Sequence, residues 1–214
     1  FAKAARDVPQ EFVGDEAHRG DMVWSAAVPE ELRSRATAVI GNFPVSQASQ
    51  YTRLEWLQTF SAGVDAYICP GVLPRGTMVT NASGAYGQSV SEHMFATMWA
   101  LMKNLNRYAS NQRDHQWQDE GPVLSPEGGI ALIIGVGDIG SHFAQLAQSV
   151  GMRTFGVRRH ADVPAKGIEK MYGFERLETL LPLADVVAMA VPRSPQTHHL
   201  LNADRLGRLK STAI

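Results

Sequence analysis

The stretch "IALIIGVGDIGSHFAQLAQSV", Ile130 to Val150, constrains the fold of this chain more than any other. Its opening run of five apolar residues reads as a buried strand. The run after the glycines has helical spacing and is closed by Gly151. Between them lies G-x-G-x-x-G, which is common by chance as six letters and specific only inside a strand–loop–helix unit. That setting is present here, and a second strand, "RTFGV", follows. Each glycine then has an expected task. Gly135 permits a tight turn, Gly137 lets the backbone approach a diphosphate, and Gly140 lets the helix pack against the strand. The new helix would direct its free N–H groups at the phosphates. The competing reading is a tight turn in an unliganded α/β protein.

The end of the second strand bears on which dinucleotide is bound. A site for NAD usually carries Asp or Glu there, to bind the ribose 2′-hydroxyl. This chain has "GVRRH", with Arg158 and Arg159 and no carboxylate. A carboxylate would repel a 2′-phosphate, whereas guanidinium groups grip one bidentately. The sequence therefore favours NADP over NAD. The alternative is a solvated basic turn with cofactor choice set elsewhere; Asp162 lies slightly late, and its loop would have to fold back to reach the ribose.

The rest of the chain extends the α/β pattern. "VPEELRSRA" reads as a short helix with Pro29 in its first turn. "ATAVIGN" (Ala36 to Asn42), "LEWLQTF" (Leu54 to Phe60) and "TMVTN" (Thr77 to Asn81) read as strands. The strongest helix signal runs from Ser89 to Trp117. Met94, Met98, Leu101, Met102 and Leu105 fall on one face, as core packing, and Ser89 or Ser91 is placed to cap the start. "DEGPVLSPEGG" is a connector. "MYGFERLETLLPLA" and "DVVAMAV" continue the alternation, and "LKSTAI" reads as the first half of another strand. Such a pattern is expected to be incomplete at its end. The opening "FAKAARDV" reads as a first helix, so a strand is expected before it.

With 214 residues, length alone leaves one or two domains open. A net charge of -1 gives no electrostatic case for nucleic acid or an anionic membrane, and no apolar run approaches the ~20 residues of a span. The single cysteine, Cys69, forms no internal disulfide, so a reducing, cytoplasmic setting is expected.

Four motifs taken in order, "SAGVD" (Ser61 to Asp65), "VSEHMFATMWAL", "GVGDIG" and "ADVVAMAVPRSPQTHHLLN", resemble the D-isomer-specific 2-hydroxyacid dehydrogenases, which include glyoxylate/hydroxypyruvate reductases and phosphoglycerate dehydrogenases. The resemblance covers essentially the whole chain. The strand turn differs from the family's usual "G-K-T" form, reading "PEGGIALIIG". The resemblance implies a flavodoxin-like α/β substrate domain over residues 1–88. It implies a Rossmann-type doubly wound parallel sheet over residues 89–214 that binds the cofactor. The turn matching "SAGVD" is expected to present the N–H groups of Ala62, Gly63 and Val64 to a substrate carboxylate, an anion nest. Asp138 and Ile139 are expected to offer N–H groups to the diphosphate. Val191, Pro192, Thr197 and Val90 are expected to line the cofactor. Tyr86 either faces the site or packs in its loop. Glu92 and His93 read as structural. His198 and His199 would point to opposite sides of an extended chain, so no metal site is expected.

The chemistry implied is hydride transfer between the nicotinamide and a small 2-oxo or 2-hydroxy acid, with an arginine holding the substrate and a carboxylate-tuned histidine moving the proton. In the family these residues follow a strand matching "LKSTAI", so they are expected beyond Ile214 and no catalytic residue is assigned within the chain. A homodimer is the assembly the resemblance implies. Two other readings remain at this point: a dinucleotide-sensing binding protein of the same fold, and a formate dehydrogenase-like enzyme. A short-chain dehydrogenase is disfavoured because the sequence contains no Y-x-x-x-K.

Overall fold

A computed structural model describes residues 7–14 and 26–214. The helix expected at the opening of the chain lies outside these residues, save for Asp7 and Val8. The chain divides into two units, with the break between Ser83 and Gly84.

In the first unit a short helix, α1 (Glu30–Arg33), precedes three parallel strands, β1 (Ala38–Ile40), β2 (Trp56–Gln58) and β3 (Met78–Thr80), in that spatial order. Each is shorter than its apolar run, because only the middle residues pair: Val39 opposite Leu57, and Leu57 opposite Val79. The core is aromatic. Phe43 stacks on Tyr51 and meets Tyr67 edge-on, and the Tyr67 hydroxyl donates to the Phe43 carbonyl at 2.6 Å. That bond satisfies a polar group at the bottom of an apolar cluster.

The second unit opens with α2 (Gly87–Met102) and α3 (Leu105–Arg113), which correct the single long helix expected from the sequence. Lys103 leaves the helix, and Asn104 adopts a left-handed conformation with φ 53, which asparagine tolerates better than other side chains. The returning connector holds the break. Leu124 donates to the Met102 carbonyl at 2.9 Å, Lys103 Nζ donates to the Leu124 carbonyl, and Asn104 Nδ2 to that of Glu120. The apolar face is correspondingly shorter than expected. Met94, Met98 and Met102 pack into the core, whereas Leu101 is 46% and Leu105 52% exposed. Neither Ser89 nor Ser91 caps α2, which begins at Gly87 behind Tyr86. Both lie inside the helix, and their hydroxyls donate back to the Tyr86 and Gln88 carbonyls.

Then come β4 (Ile130–Ile134), α4 (Asp138–Ser149), β5 (Arg153–Val157), β6 (Lys170–Tyr172), α5 (Leu177–Leu180), β7 (Val186–Met189) and α6 (Ala203–Leu206). The strands are parallel, in the order β6-β5-β4-β7. Because β4 is covered on both faces, its uninterrupted apolar run is divided by the pleat. Ala131 and Ile133 face α2 and α4, with Met98, Phe143 and Ala144. Leu132 and Ile134 face the α5 side, with Phe155, Leu177 and Leu181. At ~1.5–3 kcal/mol for each large side chain buried, this two-sided burial outweighs the local propensities of the segments by far. The "LKSTAI" segment is not a strand up to Thr212. Only Ile214 reaches β7, donating to the Asp185 carbonyl and accepting from Val187. Among the described residues no helix is long and apolar enough to cross a membrane.

Asp185 ties the start of this sheet together. Its carboxylate accepts from the Ile130 amide at 2.8 Å and from Lys210 Nζ at 2.7 Å. Asp185→Ala removes the acceptor that the half-buried Ile130 amide has among the described residues, and should cost about 2 kcal/mol in urea unfolding. Asp185→Asn retains that acceptor and should cost less than about 1 kcal/mol.

Candidate functional site

In the second sheet β5 and β6 extend to one side of β4, and the chain then crosses to place β7 on the other. The carboxyl end of β4 is thus the topological switch point, where a parallel sheet opens a crevice. Gly135 to Gly140 occupy that position. Gly135 has φ +93, and a side chain there would overlap the Ala190 carbonyl at the end of β7. A side chain at Gly140 would overlap the Gly135 carbonyl and come within 3.1 Å of Ile133. Both glycines are therefore required by the packing of the protein itself. Gly137 is different: a methyl placed there meets nothing within 4 Å. Its glycine answers no neighbour in the chain, which is the condition of a backbone kept clear for a ligand.

The helix α4 begins at Asp138, three residues before the expected Ser141, so the last half of the glycine loop is already helical. The Ser141 amide donates to the Gly137 carbonyl at 3.0 Å, and the Gly135 amide to that of Val157. Between them, the N–H groups of Val136, Gly137, Asp138, Ile139 and Gly140 donate to no acceptor among the described residues. Five successive free donors thus lie at the positive end of a twelve-residue helix, the kind of terminus that suits phosphate oxygens. The Asp138 side chain turns to α2, against Gly87, with Oδ1 3.3 Å from His142 Nδ1. A side chain at Gly87, a position the sequence reading missed, would strike that carboxylate unless Asp138 moved aside.

At the end of β5 the two arginines have different surroundings. Arg158 is partly buried. Its Nε donates to the His160 carbonyl at 2.9 Å, its Nη1 to the Val136 carbonyl at 3.4 Å, and its Nη2 to the Val163 carbonyl. Arg159 is exposed and forms no hydrogen bond or ion pair among the described residues. At the other end of β5 the Arg153 guanidinium donates to Glu169 at 2.6 Å and holds its carboxyl below the usual carboxylate range.

Past β7, Val191 packs on the core side of Leu132 while Pro192 is exposed. Thr197 knots the loop: its hydroxyl donates to the Pro192 carbonyl at 2.6 Å and accepts from the Ser194 amide at 2.9 Å. The next residues form a turn and not an extended chain, which corrects the expectation for the histidine pair. His199 has φ 51, and its ring lies over that of His198, centroids 3.9 Å apart. Among the described residues no cluster of His, Cys, Asp or Glu is placed to hold a metal ion. Val90 is exposed on the first turn of α2; Glu92 accepts from Gln88 on the same helix, and His93 is exposed.

In the first unit, the residues after β2 form a second set of free donors. The carbonyls are occupied: that of Ser61 by Thr59 Oγ1, that of Ala62 by Asn81 Nδ2 at 2.7 Å, that of Gly63 by Ser61 Oγ, and that of Val64 by the amides of Tyr67 and Ile68. The amides of Ala62, Gly63 and Val64 donate to nothing among the described residues. With the carbonyls turned inward and the amides unspent, the turn has the polarity of an anion nest. Asn81 props the turn expected from "SAGVD", a role the sequence reading did not assign to it.

The sequence profile for the NAD-binding domain of the D-isomer specific 2-hydroxyacid dehydrogenases matches residues 95–214. The glycerate dehydrogenase of Methylorubrum extorquens is 26% identical over 196 residues, which is 87% of this chain and 60% of that protein. Among solved structures, a D-isomer specific 2-hydroxyacid dehydrogenase family protein from Aeromonas salmonicida superposes with a TM-score of 0.77 at 30% identity, over 86% of this chain and 59% of that one. The D-lactate dehydrogenase of Aquifex aeolicus, complexed with NAD and lactic acid, superposes with a TM-score of 0.71 at 25% identity, over 86% and 56%. The chain therefore spans less than two thirds of the length of each of these proteins.

Proposed function

The chain belongs to the D-isomer specific 2-hydroxyacid dehydrogenase family, and on that premise we propose that it is the cofactor-binding and substrate-carboxylate-binding part of an NADP(H)-preferring reductase of small 2-oxo acids. The observation that carries this reading is the contrast among the three glycines: Gly135 and Gly140 are required by the protein, Gly137 only by something outside it. The five free amides from Val136 to Gly140 would hold the diphosphate, with Val90, Val191, Pro192 and Thr197 beside the remainder of the cofactor. When bound, the nicotinamide supplies or accepts the hydride. The amides of Ala62, Gly63 and Val64 would hold the carboxylate common to every 2-oxo acid. A nest of neutral donors suits that group, because it compensates the charge without adding a side chain that titrates. Residues 1–83 then serve the substrate and residues 84–214 the dinucleotide. The absence of a carboxylate at Val157 to Arg159, with an exposed guanidinium there, supports NADP(H).

NAD(H) is the second reading. The loop carrying Asp162 is folded back over Arg158, which donates to carbonyls on either side of it. One assay separates the two. The full-length protein, given glyoxylate, hydroxypyruvate or a bulkier 2-oxo acid, should oxidise NADPH with at least ~10-fold higher kcat/KM than NADH, the worth of one charge-assisted contact. Equal use of both, or a preference for NADH, would refute the cofactor assignment; no turnover with any acid would refute the enzyme.

A dimer through the end of α2 and α3 is the assembly this reading carries. Leu101, Leu105 and Tyr108 are exposed there, and α3 buries none of its own residues. Leu105→Glu should shift the protein to monomer in sedimentation velocity, since a charge in an apolar contact is costly; an unchanged dimer would place the interface elsewhere.

A further inference from the structure

The two arginines at the end of β5 are chemically alike and adjacent, yet the structure treats them differently. A guanidinium grips a phosphate with two parallel N–H groups, through its Nε/Nη2 edge or its Nη1/Nη2 edge. In Arg158 the first edge is spent on the carbonyls of His160 and Val163, and Nη1 is directed at the carbonyl of Val136. These acceptors lie on two segments. His160 and Val163 belong to the loop after β5, and Val136 sits in the middle of the glycine loop, 22 residues earlier. The backbone adds to the anchorage, since the Arg158 amide donates to the Tyr172 carbonyl on β6 at 3.0 Å. Arg159 has none of these attachments.

We propose that Arg158 is a positioning residue, a pin fastening the loop 159–163 to the glycine loop, and that Arg159 alone is the contact for the 2′-phosphate. This rests on the NADP(H) reading above and divides its two arginines into different tasks. The physical reason for the pin is specific. The diphosphate cradle and the ribose subsite lie on different loops, and the distance between them must match the short span of the ligand from its diphosphate to its ribose 2′-phosphate. A side chain bridging the Val136 carbonyl and the carbonyls of His160 and Val163 sets that distance before the ligand arrives, which lowers the ordering cost of binding. Only arginine suits the task, because its planar fork donates in three directions at once and a lysine ammonium on a flexible stem does not. Turning the Val136 carbonyl toward Arg158 also keeps that oxygen away from the incoming phosphates, and so leaves the cradle lined by amides.

The test needs no turnover. Binding of adenosine 2′,5′-bisphosphate and of AMP is measured by calorimetry, and amide exchange by mass spectrometry, on the full-length protein and its variants. Arg159→Ala should weaken the bisphosphate by at least ~10-fold, leave AMP unchanged and leave exchange unchanged. Arg158→Ala should weaken both ligands by the same factor and speed exchange over 159–163. Arg158→Lys, which keeps the charge, should behave like Arg158→Ala. A selective loss of the bisphosphate in Arg158→Ala, or full rescue by Arg158→Lys, would overturn the proposal, because either outcome makes Arg158 a charge that reads the phosphate. Equal binding of the two ligands by the unaltered protein would sink the NADP(H) reading and Arg159's part with it; unchanged exchange over 159–163 in Arg158→Ala would sink the pin independently.

Discussion

Gly137→Val is expected to leave the protein folded and to abolish most dinucleotide binding. The two halves of that expectation have separate grounds. Gly137 has φ -101, outside the left-handed region, and nothing lies within 4 Å of a methyl placed there. With room for the β-carbon and no left-handed φ, the change in unfolding free energy should stay within ~1 kcal/mol. The same side chain would stand in front of the free amides of Val136 to Gly140 and hold a diphosphate off the helix terminus. Losing several charge-assisted hydrogen bonds together should weaken the affinity at least ~100-fold, about 2.7 kcal/mol. Fluorescence titration with NADPH alongside a thermal melt reads both. Affinity within threefold of the parent would mean that the diphosphate does not lie on this loop.

Gly135→Ala should fail by the opposite route. The glycine has φ +93, and the new methyl would overlap the Ala190 carbonyl and lie 2.8 Å from Val191 Cγ1. Neither neighbour has room, since Ala190 is itself tied to β4 through the Ile134 carbonyl. Left-handed strain of ~1–2 kcal/mol added to overpacking of ~1–3 kcal/mol gives about 3 kcal/mol of destabilisation. For a unit of this size that is a fall of about 10 °C in Tm. A melt monitored by circular dichroism decides it, and a Tm within about 2 °C of the parent would show that the β4–β7 junction is softer than its geometry implies. Together the two variants separate the glycine needed by the fold from the one needed by the ligand, two positions apart in sequence.

That separation marks how far the sequence carried. The strand, loop and helix around Gly135 to Gly140 were legible because two periodicities meet there, and both "IALII" and "RTFGV" were placed to the residue. The pattern also suggested three roles for three glycines. It did not show which atoms crowd Gly135, because those belong to Ala190 and Val191, some fifty residues away. The long helix failed for a related reason. Leu101 and Leu105 continue the spacing of Met94, Met98 and Met102, so periodicity runs on through a break that Asn104 makes with one left-handed residue. What holds the break, the carbonyls of Glu120 and Leu124, lies beyond any local window. The arginine pair was legible as charge. Its division into a partly buried guanidinium facing three carbonyls and an exposed one was not, since it depends on the path of the backbone from His160 to Val163. The free amides of Ala62 to Val64 were expected from the "SAGVD" resemblance; what the sequence did not show is how each neighbouring carbonyl is occupied, since that depends on Asn81, Thr59 and the amides of Tyr67 and Ile68.

The left-handed residue at Asn104 has a consequence for cooperativity. By interrupting the helix it leaves α3 as nine residues with no buried side chain, held by polar tethers such as Asn111 to Glu120. A helix that short is marginal alone in water, so α3 should open at a free energy well below that of global unfolding. Under the proposed dimer, a second copy covering Leu101 and Leu105 would supply the burial that α3 lacks. Its order would then follow mass action: amide exchange in α3 should slow as protein concentration rises, while exchange in β4 stays constant.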